Sequence, residues 1–210
     1  MSCNCTNMKK KSDMHSPWRV VEMFEENIAK YCGSKYAITC DNCTDALLMC
    51  CQYLNVQEVT IPSRTYLSVP QSIIQAGGTP KFKNYDWIGI YQLEPYPIWD
   101  AAKRFTSNMY IKNSLMCLSF HTKKNLKIGK GGAILTDKKE AYEWLKKCRY
   151  SGRDHAKDNI ETIGWNSYMI PEQAARGLTL LSEYPKNHPD QSEKRPYLDL
   201  KTLPLFKKYT

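Results

Sequence analysis

The sequence predicts an α/β fold, in which helices cover both faces of a mostly parallel central sheet to form three α/β/α layers. The first observation is that short apolar runs alternate with segments of helical periodicity along the 210 residues. The second is that these runs are continuously apolar, as expected of strands that are buried on both faces. The third is that a chain of this length, with 42% apolar residues, can bury a substantial core.

Each element is predicted from its periodicity and from the residues that bound it. Apolar residues recur at helical spacing in five segments, at 20–31, 44–54, 69–76, 138–150 and 171–182. Strand-like apolar runs, bounded by polar residues or glycine, fall at 36–40, 58–61, 80–83, 97–99, 115–120 and 133–136. The polar segment 151–163 between the last two helices is predicted to be a surface loop.

The same pattern predicts one domain at residues 17–184, between a flexible N-terminal segment at 1–16 and a short C-terminal tail at 185–210. The N-terminal segment is polar and carries lysines, and the tail is rich in proline and lysine and is expected to wrap over the surface. There is no run of 18 apolar residues and no stretch of signal-peptide type. A soluble cytoplasmic protein without membrane association is therefore expected.

Net charge and cysteine content bear on three possibilities, namely nucleic-acid binding, disulfide bonds and a metal site. The formal charge is +9, but no helix-turn-helix, zinc-finger or RRM signature supports nucleic-acid binding. Phosphate-bearing ligands would also favour a positive potential. The nine cysteines are an odd number without an export signal, which favours free thiols. Cys40-x-x-Cys43 has no second CxxC pair to complete a metal site, so no metal is predicted.

The most informative segment is 119–136, which places Ser119, two adjacent lysines and a Gly-Gly pair between two buried strands. A lysine at the mouth of such a loop can bond covalently to an aldehyde when part of its amine is deprotonated. With 30 Lys and Arg residues in the chain, one lysine beside glycines is weak evidence alone.

Three further segments carry compatible chemistry, and each also has a plain structural explanation. Asn42, Thr44 and Asp45 begin a helix, where free N–H groups bind phosphate, although an ordinary N-cap explains the same residues. Asp100 follows a short strand, where it can pair with a protonated ring nitrogen or simply form a turn. Tyr66 follows another strand and can stack on a flat ring, or belong to the core or surface.

Taken in order with their flanks, these segments resemble the DegT/DnrJ/EryC1/StrS family of sugar aminotransferases, which use pyridoxal 5′-phosphate (PLP). The resemblance covers about residues 20–184. The motifs that carry it are Asn42-Cys43-Thr44-Asp45-Ala46-Leu47, Pro62 to Tyr66, Ala76 to Pro80, the Asp100 run, the 119–136 block, Ile163 to Met169 and Glu172 to Ala175. It implies a PLP-dependent transferase-like large domain whose C-terminal small domain is largely missing.

The resemblance implies a role for each matching residue. Lys124, rather than Lys123, matches the lysine that binds PLP covalently, and Asp100 matches the partner of the pyridine nitrogen. Cys43, Thr44, the Asp45 backbone and Ser119 fall at the phosphate-binding positions, and Tyr66 matches the stacking aromatic. Asn166 matches a residue that reaches the cofactor of the neighbouring subunit, which implies a homodimer with shared active sites.

The implied activity is a ping-pong transfer of an amino group from glutamate to a nucleotide-linked keto-sugar, by default a 4-keto-6-deoxy sugar. The alternative is a catalytically inactive or reduced remnant that binds PLP or a sugar nucleotide, or acts as a dimeric scaffold.

Several positions depart from the family pattern. Cys43 replaces the usual glycine, Lys103 stands where Gln or His is common, and Tyr168 replaces an arginine. Too few residues lie between Phe82 and Trp99 for the extra strand-and-helix units that the resemblance would imply.

Overall fold

A mixed five-stranded sheet forms the centre of the computed structural model, which describes residues 16–154, 159–192 and 197–209. The strands are β1 (Tyr36–Cys40), β2 (Glu58–Pro62), β3 (Thr79–Lys83), β4 (Tyr91–Gln92), β5 (Ile98–Asp100), β6 (Leu115–Ser119), β7 (Gly132–Thr136), β8 (Arg153–Asp154) and β9 (Asn159–Ile160). The helices are α1 (Arg19–Cys32), α2 (Cys43–Tyr53), α3 (Ser68–Gln75), α4 (Lys139–Cys148) and α5 (Pro171–Ser182), with 3₁₀ turns at Leu200–Thr202 and Pro204–Tyr209.

The strand order in the central sheet is β1-β7-β6-β5-β4. β1, β5 and β6 run in one direction, whereas β4 and β7 run in the other. β2 and β3 form a separate parallel pair, which meets the turn between β4 and β5 through a bridge of Thr60 with Glu94.

The predicted α/β fold class is confirmed, and the sheet is mixed rather than mostly parallel. The reason lies in the connections, because parallel neighbours need a crossover of a dozen or more residues that usually contains a helix. Residues 93–97 join β4 to β5, and a loop without a helix at 120–131 joins β6 to β7. Both connections return the chain antiparallel.

Helices cover both faces of the sheet, as predicted. On one face α2, α3 and α4 pack against inward-facing residues of the strands, among them Ile38, Ile98, Cys117 and Ile134. On the other face α1 and α5 enclose a second cluster, which contains Phe24, Met116, Phe120 and Met169. The domain therefore has the three layers expected of its class.

The strand register brings the carboxyl ends of β1, β5 and β6 to one edge of the sheet. Cys40 at the end of β1 pairs with Gly132, and Gly132 pairs with Ser119 at the end of β6. Asp100 at the end of β5 pairs with Cys117, two residues before Ser119. Ligands of α/β sheets bind outside such strand ends.

The remaining predictions concern the termini and the loop. The predicted loop 151–163 contains the short β8–β9 hairpin, and its residues 155–158 lie outside the described residues. Residues 1–15 of the predicted flexible segment are also outside them. The described part of the tail packs on the body, where Phe206 is fully buried and contacts Phe82.

Within the described residues, the seven cysteines are free. Cys3 and Cys5 lie outside the described part of the chain. No helix within the described ranges combines the length and apolarity that a membrane crossing requires.

Candidate active site

The first component of the site is the start of α2, directly after β1. Asn42 is extended, with φ −165° and ψ 170°, and its Oδ1 accepts the N–H of Asp45 at 2.9 Å. The Thr44 hydroxyl donates to Ser68 Oγ at 2.8 Å. Because amides of a first helical turn have no acceptor within the helix, the start of α2 presents N–H groups beside two hydroxyls. The amide of Asp45, a predicted phosphate contact, is already engaged by the Asn42 cap.

Cys43, which stands where the resemblance expects glycine, is the first residue of α2. Its backbone is not among the described residues with positive φ, so a side chain is tolerated there without strain. Burial raises the pKa of its thiol well above the usual value, the charge of Asp100 acts in the same direction, and the charge of Lys124 opposes both. The thiol thus lies within electrostatic range of the two residues predicted to be catalytic.

The Gly-Gly pair between the loop and β7 is explained by close packing at this edge. A Cβ on Gly132 would lie 2.5 Å from the backbone carbon of Asn42 and 2.7 Å from the amide nitrogen of Cys43. Gly131 has φ +149°, and a Cβ there would lie 2.6 Å from Met169 Cε. The start of β7 can therefore pass directly beneath the start of α2.

Asp100 is 5% exposed, and both of its carboxylate oxygens accept hydrogen bonds. The Ala102 amide donates to Oδ1 at 2.9 Å, and the Tyr91 hydroxyl donates to Oδ2 at 2.9 Å. Burial raises the pKa of Asp100, while these two hydrogen bonds and the charges of Lys124 and Lys103 lower it. The result is a buried carboxylate at a strand end, fixed by two donors.

Lys124 lies in the loop after β6 and is half-buried, whereas its neighbour Lys123 is exposed. The Lys124 amide donates to the His121 carbonyl at 2.8 Å, which closes a turn. Ser119, also half-buried, ends β6 at the base of the same loop. An amine, a hydroxyl and the Asp100 carboxylate thus occupy adjacent strand ends.

Lys103 is 5% exposed. Its Nζ lies 4.7 Å from the centroid of the Trp87 ring and 5.1 Å from that of Tyr197. The two rings are stacked at an interplanar angle of 14°. Cation–π contacts such as these hold the Lys103 ammonium group in place, and its charge lowers the pKa of Asp100.

Two predicted residues lie on the surface rather than in the cluster. Tyr66 is 54% exposed in the turn before α3, next to the buried Thr65. Asn166 is exposed, and its backbone forms a bridge with Tyr150. The following residue, Ser167, accepts the Asp41 amide at 2.7 Å, so this loop is tied to the end of β1.

The structure therefore places three of the predicted residues, Cys43, Lys103 and Lys124, within electrostatic range of a fourth, Asp100. Thr44 and Ser119 lie at adjoining element ends at the same edge. Tyr66 and Asn166 face solvent.

Sequence reasoning missed two contributions to the site. One is Tyr91 on β4, which a hairpin interpretation of the short spacing before Asp100 could have indicated. The other is the segment after α5, in which the Gln191 amide donates to the Lys103 carbonyl at 2.9 Å and its side chain donates to the Lys123 carbonyl. Asp190 pairs with Arg104 at 2.6 Å. No sequence signal placed this segment across the two lysine-bearing loops.

Comparison with known proteins identifies relatives along most of the chain. Residues 4–108 and 110–199 match the family described as the DegT/DnrJ/EryC1/StrS aminotransferase family. GDP-perosamine synthase of Caulobacter vibrioides is 37% identical over an alignment that covers 78% of this chain and 56% of that protein. A UDP-2-acetamido-2-deoxy-3-oxo-D-glucuronate aminotransferase of Pseudomonas aeruginosa is 24% identical, over 90% of this chain and 69% of its own length.

Solved structures agree on the fold. An aminotransferase of the same family from Brucella abortus superposes with a TM-score of 0.68 at 23% identity, covering 78% of this chain and 58% of that one. A putative PLP-dependent aminotransferase from Bacillus cereus gives a TM-score of 0.70 at 20% identity, covering 84% of this chain and 62% of the other. The chain thus spans about 60% of these structures, and little more than half of the C. vibrioides relative.

Proposed function

Because the chain belongs to the DegT/DnrJ/EryC1/StrS aminotransferase family, we propose that it binds PLP and transfers an amino group from glutamate to a keto group of a nucleotide-linked sugar. The observation that supports this proposal is the buried Asp100 carboxylate at a strand end beside the start of α2, with Lys124 near enough for its charge to lower the pKa of Asp100. Lys124, Asp100 and the start of α2 suit an aldehyde, a pyridine nitrogen and a phosphate, respectively.

The donor set of the site fits PLP. A phosphate would lie at the start of α2, where first-turn amides and the Thr44 and Ser68 hydroxyls converge. Asp100 would hold the ring nitrogen, Lys124 the aldehyde carbon, and Lys103 would lie near the ring as an additional cation. When bound, PLP supplies an electron sink that stabilises negative charge on the substrate carbon next to nitrogen.

Lys124 and Asp100 have different proposed roles in the reaction, one in proton transfer and the other in binding the ring nitrogen. With PLP bound, Lys124 Nζ would act as a general base that takes a proton from the substrate carbon next to nitrogen, and then as the general acid that gives this proton up. Asp100 would hold the ring nitrogen in its protonated form, because a carboxylate favours a neighbouring positive charge. Two amines use the same site in turn, so the proposed order of reaction is ping-pong.

The substrate proposal derives from the relatives named as acting on nucleotide-linked sugars. A 4-keto-6-deoxy sugar is the specific acceptor proposed. We also propose a homodimer with shared sites, because Asn166, which matches a family residue that reaches the neighbouring subunit's cofactor, is exposed. The chain's net charge of +9 suits a diphosphate-bearing substrate.

The first experiment tests cofactor binding at Lys124. The purified protein is mixed with PLP, reduced with borohydride and digested, and the modified peptide is identified by mass. The label is expected on Lys124, and Lys124→Ala should remove both the label and the yellow absorbance band. Lys123→Ala is the matched control, because that adjacent lysine is exposed and should leave both unchanged. Equal labelling of many lysines, or none, would contradict the proposal.

The second experiment tests the reaction itself. The PLP-loaded protein is mixed with glutamate alone, and 2-oxoglutarate is measured in a single turnover, before GDP-, dTDP- and UDP-linked keto-sugars are added. One equivalent of 2-oxoglutarate, followed by an aminated sugar, is the expected result. A protein that binds PLP but gives neither product would instead be the non-catalytic, cofactor-binding form of the fold.

A further inference from the structure

Tyr91 is a buried hydroxyl aimed at Asp100, to which no role has yet been assigned. It is 3% exposed and lies on β4, opposite Asp100 in the antiparallel pairing with β5. Directly opposed residues of an antiparallel pair project from the same side of a sheet. The short return of the chain before β5 therefore places a phenol next to the carboxylate.

The hydrogen bonds form a chain of three side chains. Tyr91 donates to Asp100 Oδ2 at 2.9 Å, and its oxygen lies 2.6 Å from Thr65 Oγ1. An ionised carboxylate accepts only, so the single phenolic proton points to Asp100 and Thr65 must donate to Tyr91. Thr65 is 2% exposed and immediately precedes Tyr66, the residue predicted to stack on the cofactor.

We propose that Tyr91 is a positioning residue, which together with Thr65 holds the Asp100 carboxylate ionised and oriented toward the cofactor's ring nitrogen. This inference rests on the proposed function, since it concerns the same site. Tyr91 touches the carboxylate and not the reacting atoms. The Ala102 amide fixes the other oxygen at 2.9 Å, so without Tyr91 the carboxylate keeps one donor from the protein backbone.

A buried carboxylate needs such support, because removal from water favours its neutral form. A neutral Asp100 could not stabilise a protonated ring nitrogen. The titratable groups around Asp100 come from five segments. They are Tyr91 on β4, Cys43 on α2, Cys117 on β6, Lys103 in the loop after β5 and Lys124 in the loop after β6. Of the uncharged groups among them, only Tyr91 donates a hydrogen bond to the carboxylate within the described residues.

The test compares Tyr91→Phe and Thr65→Val with a matched control, Tyr110→Phe. Tyr110 also makes two hydrogen bonds through its hydroxyl, to Ser114 O at 3.0 Å and from the Asp137 amide at 2.9 Å, but away from the site. In cofactor-free protein, the titration of Asp100 is followed by NMR of ¹³C-labelled aspartate, assigned with Asp100→Asn. PLP affinity is measured separately by absorbance.

Tyr91→Phe is expected to raise the pKa of Asp100, because the charged form loses a donor, and to weaken PLP binding about tenfold. Thr65→Val should act in the same direction with a smaller effect, since Tyr91 then keeps its bond to Asp100 but loses its own donor. Tyr110→Phe should change neither quantity. A merely structural tyrosine would lower stability without moving the Asp100 titration.

An unchanged Asp100 pKa in Tyr91→Phe, or an equal shift in Tyr110→Phe, would overturn the inference. Should Tyr91→Phe fail to fold, Thr65→Val decides alone, and an unchanged titration there is equally adverse. Absence of PLP binding in the unaltered protein would contradict the proposed function. It would leave the NMR comparison intact, so the two failures are distinguishable.

Discussion

Arg149 and Glu25 form a buried ion pair whose disruption should cost more stability than any exposed pair in the described structure. Arg149 is 4% exposed and Glu25 is 5% exposed. Glu25 also accepts the amide and hydroxyl of Thr39 at 2.8 and 2.9 Å, and Arg149 donates to the Thr39 carbonyl at 2.6 Å. The pair thus joins α1, the end of α4 and β1, close to the strand end that starts the site.

The expected loss of folding stability depends on whether one or both members of the Arg149–Glu25 pair are replaced. Arg149→Met leaves the Glu25 carboxylate buried without its cation, and removing one member of a buried pair costs about 3–5 kcal/mol. In the double variant Glu25→Gln/Arg149→Met, an amide oxygen still accepts the Thr39 donors and no charge is buried. Replacing both charges is often close to neutral, so the double variant should lose only about 1–2 kcal/mol.

The assay is urea denaturation at neutral pH, with the midpoint and slope compared among the variants. Lys139→Met is the control, because the Lys139–Glu143 pair is exposed on α4 at 3.6 Å and should contribute about 0.3–0.5 kcal/mol. A loss below about 1 kcal/mol for Arg149→Met would refute the reasoning. So would a double variant no more stable than Arg149→Met, since the two changes would then not be coupled.

Two further predictions concern the site. Gly132→Ala should destabilise the fold by about 1–3 kcal/mol and weaken PLP binding, because its Cβ would lie 2.5 Å from the Asn42 backbone and displace the start of α2; unchanged denaturation and affinity would contradict this. Asp100→Asn should stabilise the cofactor-free protein at pH 7. Burial raises the pKa of Asp100 in the folded protein above its usual value of 3.8, so the Asp100 side chain lowers the stability of the fold as the pH rises from 3.8 through this raised pKa. The advantage should vanish below pH 3.8, whereas Asp137→Asn should show the opposite trend, because hydrogen bonds such as the one from the Asn113 amide outweigh burial and lower the pKa of Asp137.

Most element positions could be predicted from the sequence, because periodicity reports burial directly. The predicted strand 36–40 and the helix 171–182 coincide with β1 and α5, and the other predicted helices differ from the observed ones by one or two residues at their ends. The direction of the strands could not be predicted in this way. A continuously apolar run indicates burial on both faces, but it does not distinguish a parallel neighbour from an antiparallel one.

For the site as well, local features could be predicted from the sequence, whereas contacts between distant segments could not. Asp100 and Ser119 each end a strand, and their positions could be predicted because the end of an element is visible in the sequence. Contacts between distant segments could not be predicted, since nothing near Gln191 indicates that it bonds to the loops of Lys103 and Lys123. The local pattern does indicate that Asn42 could cap α2, and in the structure its side chain accepts the Asp45 amide.

The connection between β3 and β5 is short, and β4 lies within it. The fourteen residues at 84–97 are close to the minimum for a helical crossover, and the chain instead turns back on itself. An antiparallel strand of two residues suffices to cover the edge of β5 and to set Tyr91 opposite Asp100. This strand also explains why the sequence did not reveal the second donor to Asp100. The backbone after β5 supplies one hydrogen bond to the buried carboxylate, from the Ala102 amide, and the neighbouring β4 supplies the other, from the Tyr91 hydroxyl.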